Sequence, residues 1–206
     1  MEISVLKEVF KIKVIGIAGK TGCGKTCAAN YLAGKLKSSI KLNVDLLAKE
    51  IYKENDGLAG KVANCFGKEV LNSDGSINYS CLGKKVFSSC TEMKKLNDLT
   101  FPLIFDRVSC FIKENSVKDY IIIDAAILFD AGLDYFCDKI ILIIADAKER
   151  ENFLKCKNLN MRIEDIRQRI KNQKIKIKKD KVDFIIENNS SLESFYRNID
   201  VIIDKL

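Results

Sequence analysis

Gly19-Lys-Thr-Gly-Cys-Gly24-Lys25-Thr26 sets two glycines, a lysine and a hydroxyl at the G-x-x-x-x-G-K-[ST] spacing of a phosphate-binding loop. Glycines let successive backbone N–H groups approach phosphate oxygens, and a helix N-terminus behind them adds the positive end of its dipole. The expected phosphate cradle is therefore the backbone of Gly22, Cys23, Gly24, Lys25, Thr26 and Cys27. Lys25 would set its ammonium on the β- and γ-phosphates, and Thr26 would offer its hydroxyl to Mg²⁺. The context agrees: Lys13–Ala18 is a short, β-branched apolar run that reads as a buried parallel strand, and residues 27–33 read as helix. These residues predict a protein that binds a nucleoside triphosphate.

Histidine is absent, which removes His-based acid–base catalysis, Ser–His nucleophiles and His-held metals. Proton transfer must fall to carboxylates or lysines. Asp45, Asp124 and Asp146 each stand at the end of a predicted strand, where ligands bind in open α/β sheets. One could accept a proton from an attacking hydroxyl and others could help hold Mg²⁺. Strand-end aspartates also cap helices, and on spacing alone the three are not separated.

These groups need a scaffold. Strands are predicted at 13–18, 119–124, 139–145 and 183–187, with a shorter one ending near Asn43-Val44. Helical patterns fill the intervals, which predicts an α/β fold with a parallel sheet flanked by helices on both faces. Residues 46–118 are too long for one crossover and read as an inserted helical subdomain with a turn at Asn72-Ser73-Asp74-Gly75. Ser89-x-x-Glu92 and Ser190-x-x-Glu193 are predicted capping boxes, the second opening a helix whose apolar face is Leu192, Phe195, Tyr196, Ile199, Ile202 and Ile203. The sole proline, Pro102, is expected to end or kink its helix near Phe101. Lys174–Lys179, alternating lysine and isoleucine, reads as a solvated helix or loop, with a phosphate-facing lid as the alternative.

The formal net charge of +7 fits a basic surface around an anionic substrate better than a nucleic-acid partner. Eight cysteines without Cys-x-x-Cys spacing speak against a zinc ribbon and for a reducing, cytoplasmic setting. Cys23 and Cys27, at a helix N-terminus, are expected to show a lowered thiol pKa and sensitivity to oxidation. No signal peptide is read in the first residues, and no apolar run has bilayer-spanning length.

The phosphate loop is followed in order by Asn43-Val44-Asp45-Leu46-Leu47-Ala48, Phe66-Gly67-x-x-Val70-Leu71-x-x-Asp74-Gly75, Phe101-Pro102-x-Ile104, Asp124-Ala125-Ala126-Ile127-Leu128-Phe129-Asp130, Arg169-Ile170-x-x-Gln173 and Asp183-x-Ile185-x-x-Asn188. This ordered set resembles the dephospho-CoA kinase family and spans nearly the whole chain. The resemblance implies a nucleoside-monophosphate-kinase-like P-loop fold with a five-stranded parallel sheet. The nucleotide core would be 13–45 and 119–206, with a lid at about 147–180 and a helical CoA-binding subdomain at 46–118. It implies transfer of the ATP γ-phosphate to the ribose 3′-hydroxyl of dephospho-CoA. Asp45 would be the base, Arg169 a lid arginine neutralising the moving phosphoryl group, and Asn188 part of the adenine-facing segment. ATP, Mg²⁺ and dephospho-CoA are the implied ligands of a monomer or weak homo-oligomer, with no nucleic acid and no membrane. The family's usual Asp-x-Asp stands here as Asn43-x-Asp45, and its lid Gln-x-x-Arg has at best Asn152-x-x-Lys155. Another small-molecule kinase, or a non-catalytic ATP-binding switch, are the other readings.

Overall fold

A computed structural model describes residues 3–54, 56–86, 89–157, 162–173 and 175–206, with side chains at all of these but 4–6, 54, 56, 157, 169 and 172. In chain order the elements are α1 (Ile3–Phe10), β1 (Lys13–Ala18), α2 (Lys25–Lys35), β2 (Ser39–Asn43), α3 (Val44–Glu54), α4 (Asp56–Phe66), α5 (Tyr79–Val86), α6 (Cys90–Glu114), β3 (Tyr120–Asp124), β4 (Lys139–Ile144), α7 (Ala147–Lys157), α8 (Ile163–Asn172), β5 (Phe184–Glu187) and α9 (Leu192–Ile203). The chain divides into two compact units, Met1–Val44 with Ser109–Leu206, and Asp45–Val108.

The first unit carries a five-stranded sheet, all parallel, in the order β2-β3-β1-β4-β5. Its central strands are apolar at nearly every position, as burial on both faces requires. Ile15, Ile17, Ile122, Ile141, Ile143 and Ile186 face one layer, where α2 and α9 supply Ala28, Ala29, Leu32, Phe195, Ile199 and Ile202. On the other face, Gly16 leaves room for its neighbours: a Cβ there would lie 2.6 Å from Cys137 Sγ and 3.0 Å from Leu128. After β3 the chain crosses to β4 on the far side of β1. The carboxyl end of β1 is thus the switch point where such sheets bind ligands.

The second unit contains α4, α5 and most of α3 and α6. Leu58, Val62, Phe66, Val70, Leu82 and Ile104 are buried in it. Its turn follows the predicted chemistry: Gly75 takes φ 81° and donates its N–H to the Asn72 carbonyl, while Leu71 and Ile77 form an antiparallel bridge.

Two local expectations are corrected. Helix α6 runs from Cys90 through Pro102 to Glu114 without a break. Pro102 is exposed, so water can reach the carbonyl one turn back that loses its donor, and Ile104 and Ile112 are buried beyond it. The cap of α9 is Ser191, one residue later than expected, whose hydroxyl accepts the Ser194 N–H at 3.2 Å. That phase buries Phe195, Ile199 and Ile202 and leaves Leu192 56 % exposed, off the expected apolar face. Ser89 does cap α6, its hydroxyl accepting from the Thr91 N–H at 3.1 Å.

Of the lysine-rich segment, Lys174 lies outside the described residues, and 175–178 is irregular. It is a partly exposed loop anchored at Lys178, which donates to the buried Asp134 carboxylate at 2.9 Å, as Lys181 just beyond the segment does at 2.7 Å. Burial alone would raise the Asp134 carboxyl, but hydrogen bonds from Lys181 and Lys178 outweigh it and hold the pKa below the ordinary range. Among the described residues no helix is long and apolar enough to cross a membrane.

Candidate active site

The loop between β1 and α2 turns on glycines that no other residue could replace without strain. Gly22 and Gly24 take φ of 83° and 99°, and a Cβ on Gly24 would sit 2.5 Å from the Asn188 amide nitrogen. Helix α2 then starts at Lys25, and its first backbone bond runs from Ala28 N–H to the Gly24 carbonyl at 3.0 Å. The N–H groups of Lys25, Thr26 and Cys27 therefore lack an intrahelical acceptor, as the first turn of any helix does. This is an anion-binding terminus at the switch point of the sheet.

Lys25 is buried at 7 % exposure, and its ammonium donates to the Lys20 carbonyl of the loop at 3.1 Å. Thr26 Oγ1 donates to Asp124 Oδ2 at 2.7 Å, and Asn43 Nδ2 donates to the same oxygen at 2.9 Å. The start of α2 and the end of β2 thus converge on one buried carboxylate at the end of β3. Asp124, left level with two other aspartates by the sequence, is the one the structure brings to the loop. Asn43, where the resemblance leads one to expect an acid, is here an amide donor to that carboxylate. Asp146 instead precedes α7, its carbonyl accepting the Arg150 N–H at 3.0 Å, which is the helix-start alternative. Asp45 is exposed in the first turn of α3, two residues beyond Asn43 along the chain.

Three side chains brace the loop, of which the resemblance gives a role to Asn188 alone, and for a different contact, while Arg150 carries no expectation. Asn188, just beyond β5, donates to the Cys23 carbonyl at 3.0 Å. Arg150 on α7 donates through Nε to the Thr21 carbonyl at 2.8 Å and through a terminal nitrogen to Gln173 Oε1 at 3.2 Å. Gln173, just past α8, accepts the Thr21 N–H at 2.7 Å and donates to Thr21 Oγ1 at 2.9 Å. Burial depresses the Arg150 pKa below that of an ordinary guanidinium. Cys23 is buried too, and burial pushes its thiol pKa up, only partly offset by nearby Lys25. The expected lowering at Cys23 is overturned, because desolvation of a thiolate outweighs the positive helix end. Cys27 is half-buried, its sulfur 3.3 Å from the Tyr196 hydroxyl.

Beside the loop, α7 and α8 line a cavity of about 800 Å³ whose walls include Lys20, Lys148, Arg150, Lys155, Arg167 and Lys171. Glu151, also in its wall, holds Arg167 at 2.9 Å and Lys155 at 2.7 Å, and those two partners pull its carboxyl down to about 2. Arg169 lies on α8, but its side chain is outside the described residues.

A phosphate loop at the switch point of a 2-3-1-4-5 parallel sheet, flanked by a basic cavity, defines a P-loop kinase. Residues 13–194 match the dephospho-CoA kinase family. A dephospho-CoA kinase of Lactobacillus acidophilus is 33 % identical over 196 residues, covering 94 % of this chain and 96 % of its own. One from Fusobacterium nucleatum is 31 % identical over 195 residues, covering 93 % and 97 %. The crystal structure of TT1252 from Thermus thermophilus shares the fold with a TM-score of 0.73 at 22 % identity, covering 95 % of this chain and 98 % of that one. The chain belongs to the dephospho-CoA kinase family.

Proposed function

We propose a residue-level account of the family's reaction, the ATP-dependent phosphorylation of dephospho-CoA in coenzyme A biosynthesis. The acceptor is the ribose 3′-hydroxyl. Its oxygen attacks the γ-phosphorus of ATP, its proton passes to the Asp45 carboxylate, and the bond to the bridging oxygen breaks to release ADP. The backbone N–H groups from Gly22 to Cys27 receive the β-phosphate, and Lys25 leaves the Lys20 carbonyl to span the β- and γ-oxygens. Arg169 neutralises the transferring group from α8, within a lid formed by about residues 147–180, and the helical unit after Val44 receives the acceptor. Asn188 supports the loop at Cys23 beside the adenine-facing segment.

Mg²⁺ fits the residues present: Thr26 Oγ1 and the Asp124 carboxylate are hard oxygen donors 2.7 Å apart at the loop. Thr26 would hold the ion directly and Asp124 through water, and the ion would supply neutralisation of phosphate charge. With little covalent work for the protein, rate enhancement comes from positioning and charge.

The observation that carries this reading is the family match over 13–194, joined to a loop whose Lys25, Thr26 and Asp124 are already assembled. The test incubates the purified chain with Mg²⁺·ATP and dephospho-CoA beside a panel of nucleoside monophosphates, products being resolved by liquid chromatography and mass spectrometry. CoA and ADP in equal amounts, with the panel untouched, is the expected result. Phosphate appearing on another acceptor would discard the substrate assignment.

A further inference from the structure

Arg150 is 4 % exposed, and its described acceptors, the Thr21 carbonyl and the Gln173 amide oxygen, are both uncharged. Among the described residues no carboxylate pairs with it. A buried guanidinium without a counter-charge is costly to keep. On the same helix pair, by contrast, Arg167 and Lys155 share Glu151. Arg150 also lines the basic cavity beside the phosphate loop, whose lining carboxylate, Glu151, is taken by Arg167 and Lys155.

Gln173 makes the arrangement specific. Its oxygen accepts from both the Thr21 N–H and Arg150, while its nitrogen donates to the Thr21 hydroxyl. A glutamate there could accept the same two bonds but would neutralise the arginine. The amide orients it and leaves its charge unspent. We propose that Arg150 is a phosphate-binding residue whose charge is kept for the ATP phosphate chain, and that Gln173 is the positioning residue that holds it on the loop without quenching it. This rests on the kinase reading for the identity of the anion.

The test measures Mg²⁺·ATP and adenosine affinity by titration calorimetry, with melting temperatures, for wild type, Gln173→Glu, Arg150→Met and the double variant. Gln173→Glu is expected to weaken ATP about 10-fold, as loss of one charge-assisted contact would. Adenosine affinity should stay unchanged, and the melting temperature should hold or rise because a buried ion pair forms. In the Arg150→Met background the same change should cost ATP binding little. Gln173→Glu binding ATP within twofold of wild type, or losing the same factor with and without Arg150, would overturn the proposal. Should Gln173→Glu fail to melt cooperatively, Arg150→Lys takes its place: a charge role predicts partial retention of ATP affinity relative to Arg150→Met. Equal losses for ATP and adenosine in the lysine variant would sink the idea. Wild type that binds ATP in this pattern but makes no CoA would reject the acceptor assignment alone.

Discussion

The carboxyl ends of β1, β2 and β3 and the helix pair α7–α8 both handle charge, in opposite ways. At the strand ends one buried carboxylate, Asp124, takes short bonds from Thr26 and Asn43, and Lys25 is folded onto the loop. On α7–α8, ion pairs are exposed: the Arg167 side chain is 63 % accessible and that of Lys155 40 %. Buried, converging polar groups hold one geometry and are strong because water is absent. Exposed pairs exchange partners at little cost and weaken with salt. The strand ends suit a site that must be assembled before substrate arrives, and the helix pair suits one that rearranges around it.

The contrast breaks most sharply at Lys25. Lys25→Ala should lower CoA formation about 10³-fold or more, since in the proposed mechanism it removes the charge set against the transferring phosphoryl group. A variant with more than a tenth of wild-type turnover would remove Lys25 from that role. Asp45→Asn should cost about 10²–10⁴-fold in kcat, the usual worth of a general base, while ATP affinity stays near wild type. Near-normal turnover would free Asp45 of the assignment. Asp124→Asn keeps an oxygen for Thr26 but removes the charge. A fall of about 10²-fold that is partly recovered by raising Mg²⁺ is the expected outcome, and recovery can be followed in steady-state assays across a Mg²⁺ series.

Changes on α7–α8 should be smaller. Glu151→Gln releases Arg167 and Lys155 from their carboxylate, and KM for ATP should shift no more than about threefold, with the shift vanishing at high salt. Because the folded Glu151 pKa is depressed to about 2, its pairs contribute fully above the ordinary glutamate range. They are lost only as pH falls from about 4.5 toward 2. A carbon-detected titration of Glu151 with a midpoint near 4 would show the pairs do not persist in solution.

Much of the molecule is legible in one dimension because its causes are local. The loop motif, the strand at Lys13–Ala18 and the cap at Ser89 depend on residues within a few positions of one another. Helix α6 shows where local rules end. Pro102 breaks helices by default, and only its exposure, with Ile104 and Ile112 buried beyond it, lets the helix continue. Ser190 and Ser191 are both competent caps, and the choice falls to the phase that buries Phe195 and Ile199. Cys23 departs from its expected behaviour for a similar reason, since helix-end electrostatics can be read from neighbours but burial cannot.

The site divides along the same line. Sequence alone determined that a phosphate-loop motif follows a buried strand, that Lys25 and Thr26 occupy the lysine and hydroxyl positions of that motif, and that this sequence offers no histidine for proton transfer. Tertiary structure decided that Asp124 rather than Asp146 meets Thr26, across 98 residues. It also decided that Arg150, Gln173 and Asn188 brace the loop across 129, 152 and 165 residues. Such contacts leave no periodicity or spacing in the chain. They exist because a parallel sheet delivers every strand's carboxyl end to the same edge, so residues remote in sequence meet only once the sheet has formed.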